Sequence, residues 1–170
     1  MAELPGDDHR ESTGRPPAGW PTLLLLLAVC YAVAAAGGLA AADAGQTYKA
    51  LTKPAWAPPE WLFGPVWTVL YGTIAVAAWL VLRRRTNGHA VPMAWWSLQL
   101  ALNLAWTPLF FASDAYGLAF ADICLLLVAL AATVVVFGRR RPVAAVLLLP
   151  YTAWVTFAAA LNLSIWLLNR

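Results

Sequence analysis

The residues best placed to do chemistry in this chain are indoles accompanied by carboxamides. Gln99, Asn103 and Trp106 fall at i, i+4 and i+7, so they share one face of a helix. Trp67 and Tyr71 are four apart and also share a face. Trp154, Ala158 and Asn162 fall at i, i+4 and i+8, with Tyr151 one turn before Trp154. An indole offers a broad apolar face and one N–H donor, while a carboxamide offers donors and acceptors together. Such sets bind rather than transform. They wall a pocket for a flat apolar ligand and orient it with a few hydrogen bonds. Taken singly, each set also reads as helix–helix hydrogen bonding with aromatic packing. Repetition on three segments favours an aromatic cavity with polar handles.

Acid–base, metal and phosphate chemistry find little support. Asp122 lies inside an apolar run, where a carboxylate marks either a functional relay or a structural contact with a neighbouring helix. No Lys, Arg or His accompanies it within the apolar runs, which makes it a poor relay, and both roles stay open. His9 falls in the polar leader and His89 in an Arg-bearing loop. Cys30 and Cys124 lie in apolar runs without metal or redox spacing and read as small hydrophobes. No glycine-rich phosphate loop or nucleophile motif is present. No metal, cofactor or catalytic residue is expected, and nucleic acid is not an expected partner.

The elements that must position these residues are membrane helices. The chain is 62% hydrophobic and 11% charged, with mean hydropathy +0.68 and 10 tryptophans in 170 residues. A soluble domain is about half apolar and about a quarter charged. A helix needs about 20 apolar residues to cross a bilayer. Five stretches qualify: about Trp20–Ala42, Trp61–Leu82, Pro92–Phe111, Tyr116–Phe137 and Val143–Leu168. The fold class expected is therefore all-α, a bundle of five transmembrane helices spanning 20–170 behind a disordered polar leader, 1–19.

The connector 43–60 carries Pro54, Pro58 and Pro59, so it reads as a stiff, irregular lid over the bundle mouth, with Pro59 or Glu60 opening the second helix. Trp56 and Pro58 belong to that lid. Trp20, Trp61, Trp95 and Trp96 lie near span ends and read as boundary anchors. The small residues Ala34, Gly38 and Ala42 suit close helix contact, in a dimer or within the bundle. Of the 11 Lys and Arg, Arg10, Arg15 and the triplets Arg83–Arg85 and Arg139–Arg141 fall on one side, leaving Lys49, Lys53 and Arg170 on the other. The positive-inside rule then puts the N-terminus in the cytoplasm and the C-terminus outside.

Several of these stretches carry a family likeness. Leu51-Thr52-Lys53-Pro54-Ala55-Trp56-Ala57-Pro58-Pro59 and Val66-Trp67-Thr68-Val69-Leu70-Tyr71 resemble the TspO/MBR family, the translocator proteins formerly called peripheral-type benzodiazepine receptors. The likeness continues through Gln99–Phe111, Ala119-Phe120-Ala121-Asp122, Pro150–Ala158, Leu161-Asn162 and Trp166. It covers about Trp20 to Asn169, in order.

The resemblance implies a bacterial-type five-helix bundle in a cell membrane, commonly a homodimer. It also implies binding of porphyrins such as protoporphyrin IX, heme-related tetrapyrroles and, in animal members, cholesterol and drug ligands. By motif position, Trp67 and Asn103 would line the pocket and hydrogen-bond the ligand. Trp106, Trp154 and Ala158 would form its walls, with Trp56 and Pro58 in the covering loop. Some bacterial members are reported to promote light-dependent porphyrin breakdown, and Trp67 matches the residue implicated there. One departure concerns sterols: the animal cholesterol pattern is absent from Leu161–Leu167, which has no Tyr and no basic residue.

The leading expectation is a membrane receptor or carrier for tetrapyrroles, with Trp67, Tyr71, Gln99, Asn103, Trp106, Trp154 and Ala158 around the ligand. The alternatives are a light- and oxygen-dependent porphyrin-degrading enzyme and a proton-coupled transporter using Asp122.

Overall fold

Helix starts in this chain follow its prolines. In the computed structural model, which describes residues 18–42, 44–84 and 88–170, Pro21 sits in the first turn of α1 (Trp20–Ala40) and Pro142 opens α6 (Pro142–Leu168). At those positions the missing N–H costs nothing. Between them run α2 (Ala44–Ala50), a 3-10 turn (Glu60–Leu62), α3 (Phe63–Leu82), α4 (Ala90–Phe111) and α5 (Tyr116–Arg140). There are no strands among the described residues. Most of the polar leader, with His9, Arg10 and Arg15, lies outside the described residues, as do Asp43 and Arg85-Thr86-Asn87.

The connector is not irregular throughout. Its three prolines all fall in the second half, so the first half is free to coil into α2. Pro59 ends the extended stretch and caps the 3-10 turn that runs directly into α3. Past Pro108, α4 stops within a turn. The N–H groups of Ala112 and Ser113 both turn back to the Pro108 carbonyl at 3.0 Å. Asp114 then adopts φ 49°, which a short polar side chain tolerates.

The five long helices pack in the cyclic order α1, α3, α6, α5, α4 and back to α1. Among the described residues, four stretches are long and apolar enough to cross a membrane: Trp20–Ala40, Glu60–Leu82, Tyr116–Arg140 and Pro142–Leu168. The remaining long helix, α4, has the length, but Gln99, Asn103 and three tryptophans lower its hydropathy. Those polar residues are turned inward. Gln99 is 1% exposed and Asn103 5%. The polarity of α4 thus faces the bundle, where internal partners satisfy it.

One boundary assignment is overturned. Trp96 is buried, not anchored at an interface, and its Nε1–H donates to the Ile74 carbonyl of α3 at 3.3 Å. Its spacing gives the reason: Trp96 is three before Gln99 and shares the inward face of α4. Where α5 meets α6, Gly117 lets the Trp166 ring approach so closely that an added Cβ would lie 3.0 Å from it.

Candidate ligand cavity

A cavity of about 570 Å³ lies between α1, α2, α3 and α4, within the range of small-molecule sites. Its two long walls differ in kind. The α1 side presents Ala34, Gly37, Gly38 and Ala41, and α2 adds Ala44 and Gly45. Facing them, Phe63, Trp67 and Tyr71 of α3 and Asn103, Trp106 and Phe111 of α4 present rings and one carboxamide. The small residues leave the width, and the rings supply a broad apolar face.

Trp67, Asn103 and Trp106 also border a second, much smaller void, with Ile123, Leu126, Val155 and Ala158 on its far side. That void holds one water at most, about 10 Å³. The two indoles and the carboxamide therefore form a partition: the large cavity lies on the α1 side and a nearly filled space on the α5–α6 side. Trp67 is held in this partition by Tyr71, with ring centroids 5.5 Å apart, and by Tyr151 at 6.1 Å. Trp106 stacks on Phe110 at 5.0 Å, and its Nε1–H donates to Asn162 Oδ1 at 3.0 Å. Asn162 in turn donates from Nδ2 to the Tyr116 carbonyl at 2.9 Å, joining α6 to α5.

Behind the cavity wall runs a buried hydrogen-bond chain. The Tyr71 hydroxyl donates to Asn103 Oδ1 at 2.7 Å, and Asn103 Nδ2 donates to the Tyr151 hydroxyl at 3.0 Å. Tyr151 donates to Gln99 Oε1 at 2.9 Å, and Gln99 Nε2 donates to the Trp96 carbonyl at 2.9 Å. The chain crosses three helices. A carboxamide has two donor hydrogens and two acceptor sites on its oxygen. Asn103 spends one of each on the tyrosines, so one of each is left unspent within this chain.

Of the residues singled out from sequence, Trp67, Tyr71, Asn103 and Trp106 come together on the cavity wall. Gln99 lies one step deeper, within the hydrogen-bond chain. Ala158 borders only the small void. Trp154 lines neither space; its ring packs on Phe63 at 5.8 Å and Phe157 at 5.6 Å, and its buried Nε1–H has no partner. Asp122 is half-buried, and its Oδ2 has no hydrogen-bond partner. Among the described residues no cluster of His, Cys, Asp or Glu could hold a metal.

The segment between the first two long helices lines the cavity through α2 and Glu60, and not through Trp56 or Pro58. Tyr48 lines the cavity, and its hydroxyl donates to the Pro58 carbonyl at 2.9 Å. Burial pushes the Tyr48 phenol above its ordinary pKa, so it stays a neutral donor. Trp56 instead sits edge-on to Phe157 of α6 at 5.6 Å. Two further ties hold the segment down. Lys49 pairs with Glu60 at 2.8 Å, and Thr52 and Asn169 exchange hydrogen bonds at 3.0 and 2.9 Å.

Lys53 caps the C-terminal end of α2, donating to the carbonyls of Tyr48, Lys49 and Leu51. A cation there also meets the negative end of the helix dipole. Lys53→Met is expected to raise backbone hydrogen exchange across Ala44–Ala50 about tenfold, the factor for losing about 1.4 kcal/mol of charge-assisted bonding. Unchanged exchange in that segment would refute the cap.

Sequence reasoning missed the contribution of α1. Tyr31, Gly37 and Gly38 line the cavity, yet only Tyr31 stands out by residue type in that run. It also missed Tyr151 as the hub joining two carboxamides, a role that depends on which helix faces it.

A sequence model of the TspO/MBR family matches residues 26–167. This chain belongs to the TspO/MBR family. It is 42% identical to the translocator protein of Homo sapiens over 122 residues, covering 70% of this chain and 72% of that protein. It is 38% identical over 151 residues to the tryptophan-rich protein TspO of Chlorobaculum tepidum, covering 87% of this chain and 96% of that protein. It is 37% identical over 150 residues to the tryptophan-rich sensory protein of Cereibacter sphaeroides, covering 88% and 92%. With its long apolar helices, this TspO/MBR chain is an integral membrane protein.

Proposed function

We propose that this protein binds flat, apolar, membrane-soluble ligands of the tetrapyrrole class in the cavity between α1, α3 and α4, acting as a membrane receptor or carrier. The observation that carries the reading is the asymmetry of the cavity. One wall is mostly of small residues, with Tyr31 as its single ring; the opposite wall sets two indoles beside a carboxamide with unspent hydrogen-bonding capacity. A macrocycle lying in such a slot stacks its face on Trp67 and Trp106 and turns a polar edge to Asn103. The test is a titration of the detergent-solubilised protein with protoporphyrin IX, read by tryptophan fluorescence. Saturable quenching at one ligand per chain is expected, and linear, non-saturating quenching would end the reading.

The same proposal takes all five long helices as membrane crossings, α4 included, because its polar residues face inward. It places the Arg-rich ends of α3 and α5 in the cytoplasm together with the N-terminus. In a variant lacking Cys30 and Cys124, an impermeant thiol reagent added outside cells is expected to label Arg170→Cys and spare Pro5→Cys. The opposite pattern would reverse the orientation.

A further inference from the structure

We infer that the ligand reaches the cavity sideways from the bilayer, through a mouth between α1 and α3 that is flanked by open space at Gly38 and Gly64 and strapped by Tyr31 at its deeper end. This rests on the binding reading above and adds to it the route and the residues that govern passage.

The open side of the cavity can be located from its lining. The exposed lining residues are Tyr31 and Gly38 on α1, and Trp61, Gly64 and Thr68 on the 3-10 turn and α3. The lining residues from α2 and α4 are buried or half-buried. The opening therefore follows the seam between α1 and α3. Both helices are among those long and apolar enough to cross a membrane. Leu39 and Val69 stand exposed beside the seam. With α1 and α3 crossing the bilayer, a mouth so bordered starts at the lipid boundary, where Trp61 lies, and runs along the seam into the apolar layer. From the aqueous side, α2 roofs the cavity and is tied down by Lys49–Glu60 and Thr52–Asn169.

The seam is built for passage at one end and closure at the other. A Cβ added at Gly38 or at Gly64 would meet nothing within 4 Å, so space exists on both flanks. Deeper, midway along the 21 residues of α1, Tyr31 is 41% exposed. A hydroxyl at that depth must find an internal partner. It donates to the Thr68 carbonyl of α3 at 3.1 Å, and a Cβ on Gly72 would lie 3.3 Å from its oxygen. The phenol is thus a strap across the seam, held by one hydrogen bond that can open and re-form. The route selects ligands already dissolved in the bilayer and thin enough to pass between two helices.

The test uses the full chain in lipid vesicles, with protoporphyrin IX mixed by stopped flow and tryptophan quenching as the signal. Lipid compositions that change porphyrin partitioning separate the two phases, and association is expected to follow the mole fraction of porphyrin in the lipid at fixed concentration in water. Tyr31→Phe, which removes only the strap, is expected to raise association and dissociation rates together by about fivefold, the factor for one hydrogen bond. Gly38→Phe, placing a ring in the seam, is expected to lower both rates. Association that follows the aqueous concentration instead, or rates indifferent to both substitutions, would overturn the lateral route while leaving binding intact. A parent protein that shows no saturable quenching would remove the binding reading and the route together.

Discussion

Trp67→Ala is expected to weaken protoporphyrin IX binding by about 30- to 140-fold. The indole contributes area to the cavity wall and an oriented ring face. Aromatic side chains bury 150–250 Å² in general, and losing a ligand-facing part of that, with its stacking, costs about 2–3 kcal/mol; tenfold in affinity corresponds to about 1.4 kcal/mol. The loss has a second component particular to this protein. Trp67 is part of the partition between the large cavity and the small void bordered by Ala158. Without it the two spaces join, and the ligand loses the surface that fixed its depth. Trp67→Phe retains a ring and should lose only a few-fold. Titration of both variants by porphyrin absorbance, which does not depend on Trp67 as reporter, makes the comparison. An alanine variant within twofold of the parent would place the ligand elsewhere.

Asn103→Leu is expected to lower the stability of the bundle by about 2 kcal/mol, because a buried polar group left without a partner costs about 1–3 kcal/mol. Asn103 is the acceptor for Tyr71 and a donor to Tyr151. Leucine has similar size and fills the space, so the cost is polar. The Tyr71 hydroxyl loses its partner outright, while Tyr151 keeps Gln99. Interhelical hydrogen bonds in membranes average only about 0.6 kcal/mol in paired-mutation measurements. The larger figure here comes from stranding a hydroxyl rather than removing a pair. The double variant Tyr71→Phe with Asn103→Leu should therefore recover part of the loss. Denaturant or thermal unfolding in detergent reads both. If the single and double variants are equally stable, the hydroxyl finds another partner, such as water entering the cavity.

Much of the site was legible along the chain because inward faces repeat with helical period. Gln99, Asn103 and Trp106 are in phase on α4, and the structure turns that face into the bundle. The same phase, extended back to Trp96, contradicts the reading of that residue as an interfacial anchor; position near a span end was the weaker signal. In the connector, the presence of three prolines overshadowed their placement. All lie after residue 53, and the stretch before them folds as α2, which roofs the cavity. The α1 contribution was illegible for a plainer reason. Gly37 and Gly38 act by leaving space, and an absent side chain shows its effect only when the opposite wall is known.

The sequence by itself determined the family, the apolar helices and most of the residues that turn inward, Trp96 excepted. Those follow from local periodicity and from the requirement that polar groups be satisfied away from water. The tertiary structure alone decided which side of Trp67 and Trp106 is open. Ile123, Leu126 and Val155 nearly fill the space toward α5 and α6, while alanines and glycines of α1 leave the other side empty. Which of two sides of an inward-facing ring becomes a cavity depends on the volumes that neighbouring helices bring to it. Those neighbours are set by the packing order α1, α3, α6, α5, α4 and not by order along the chain.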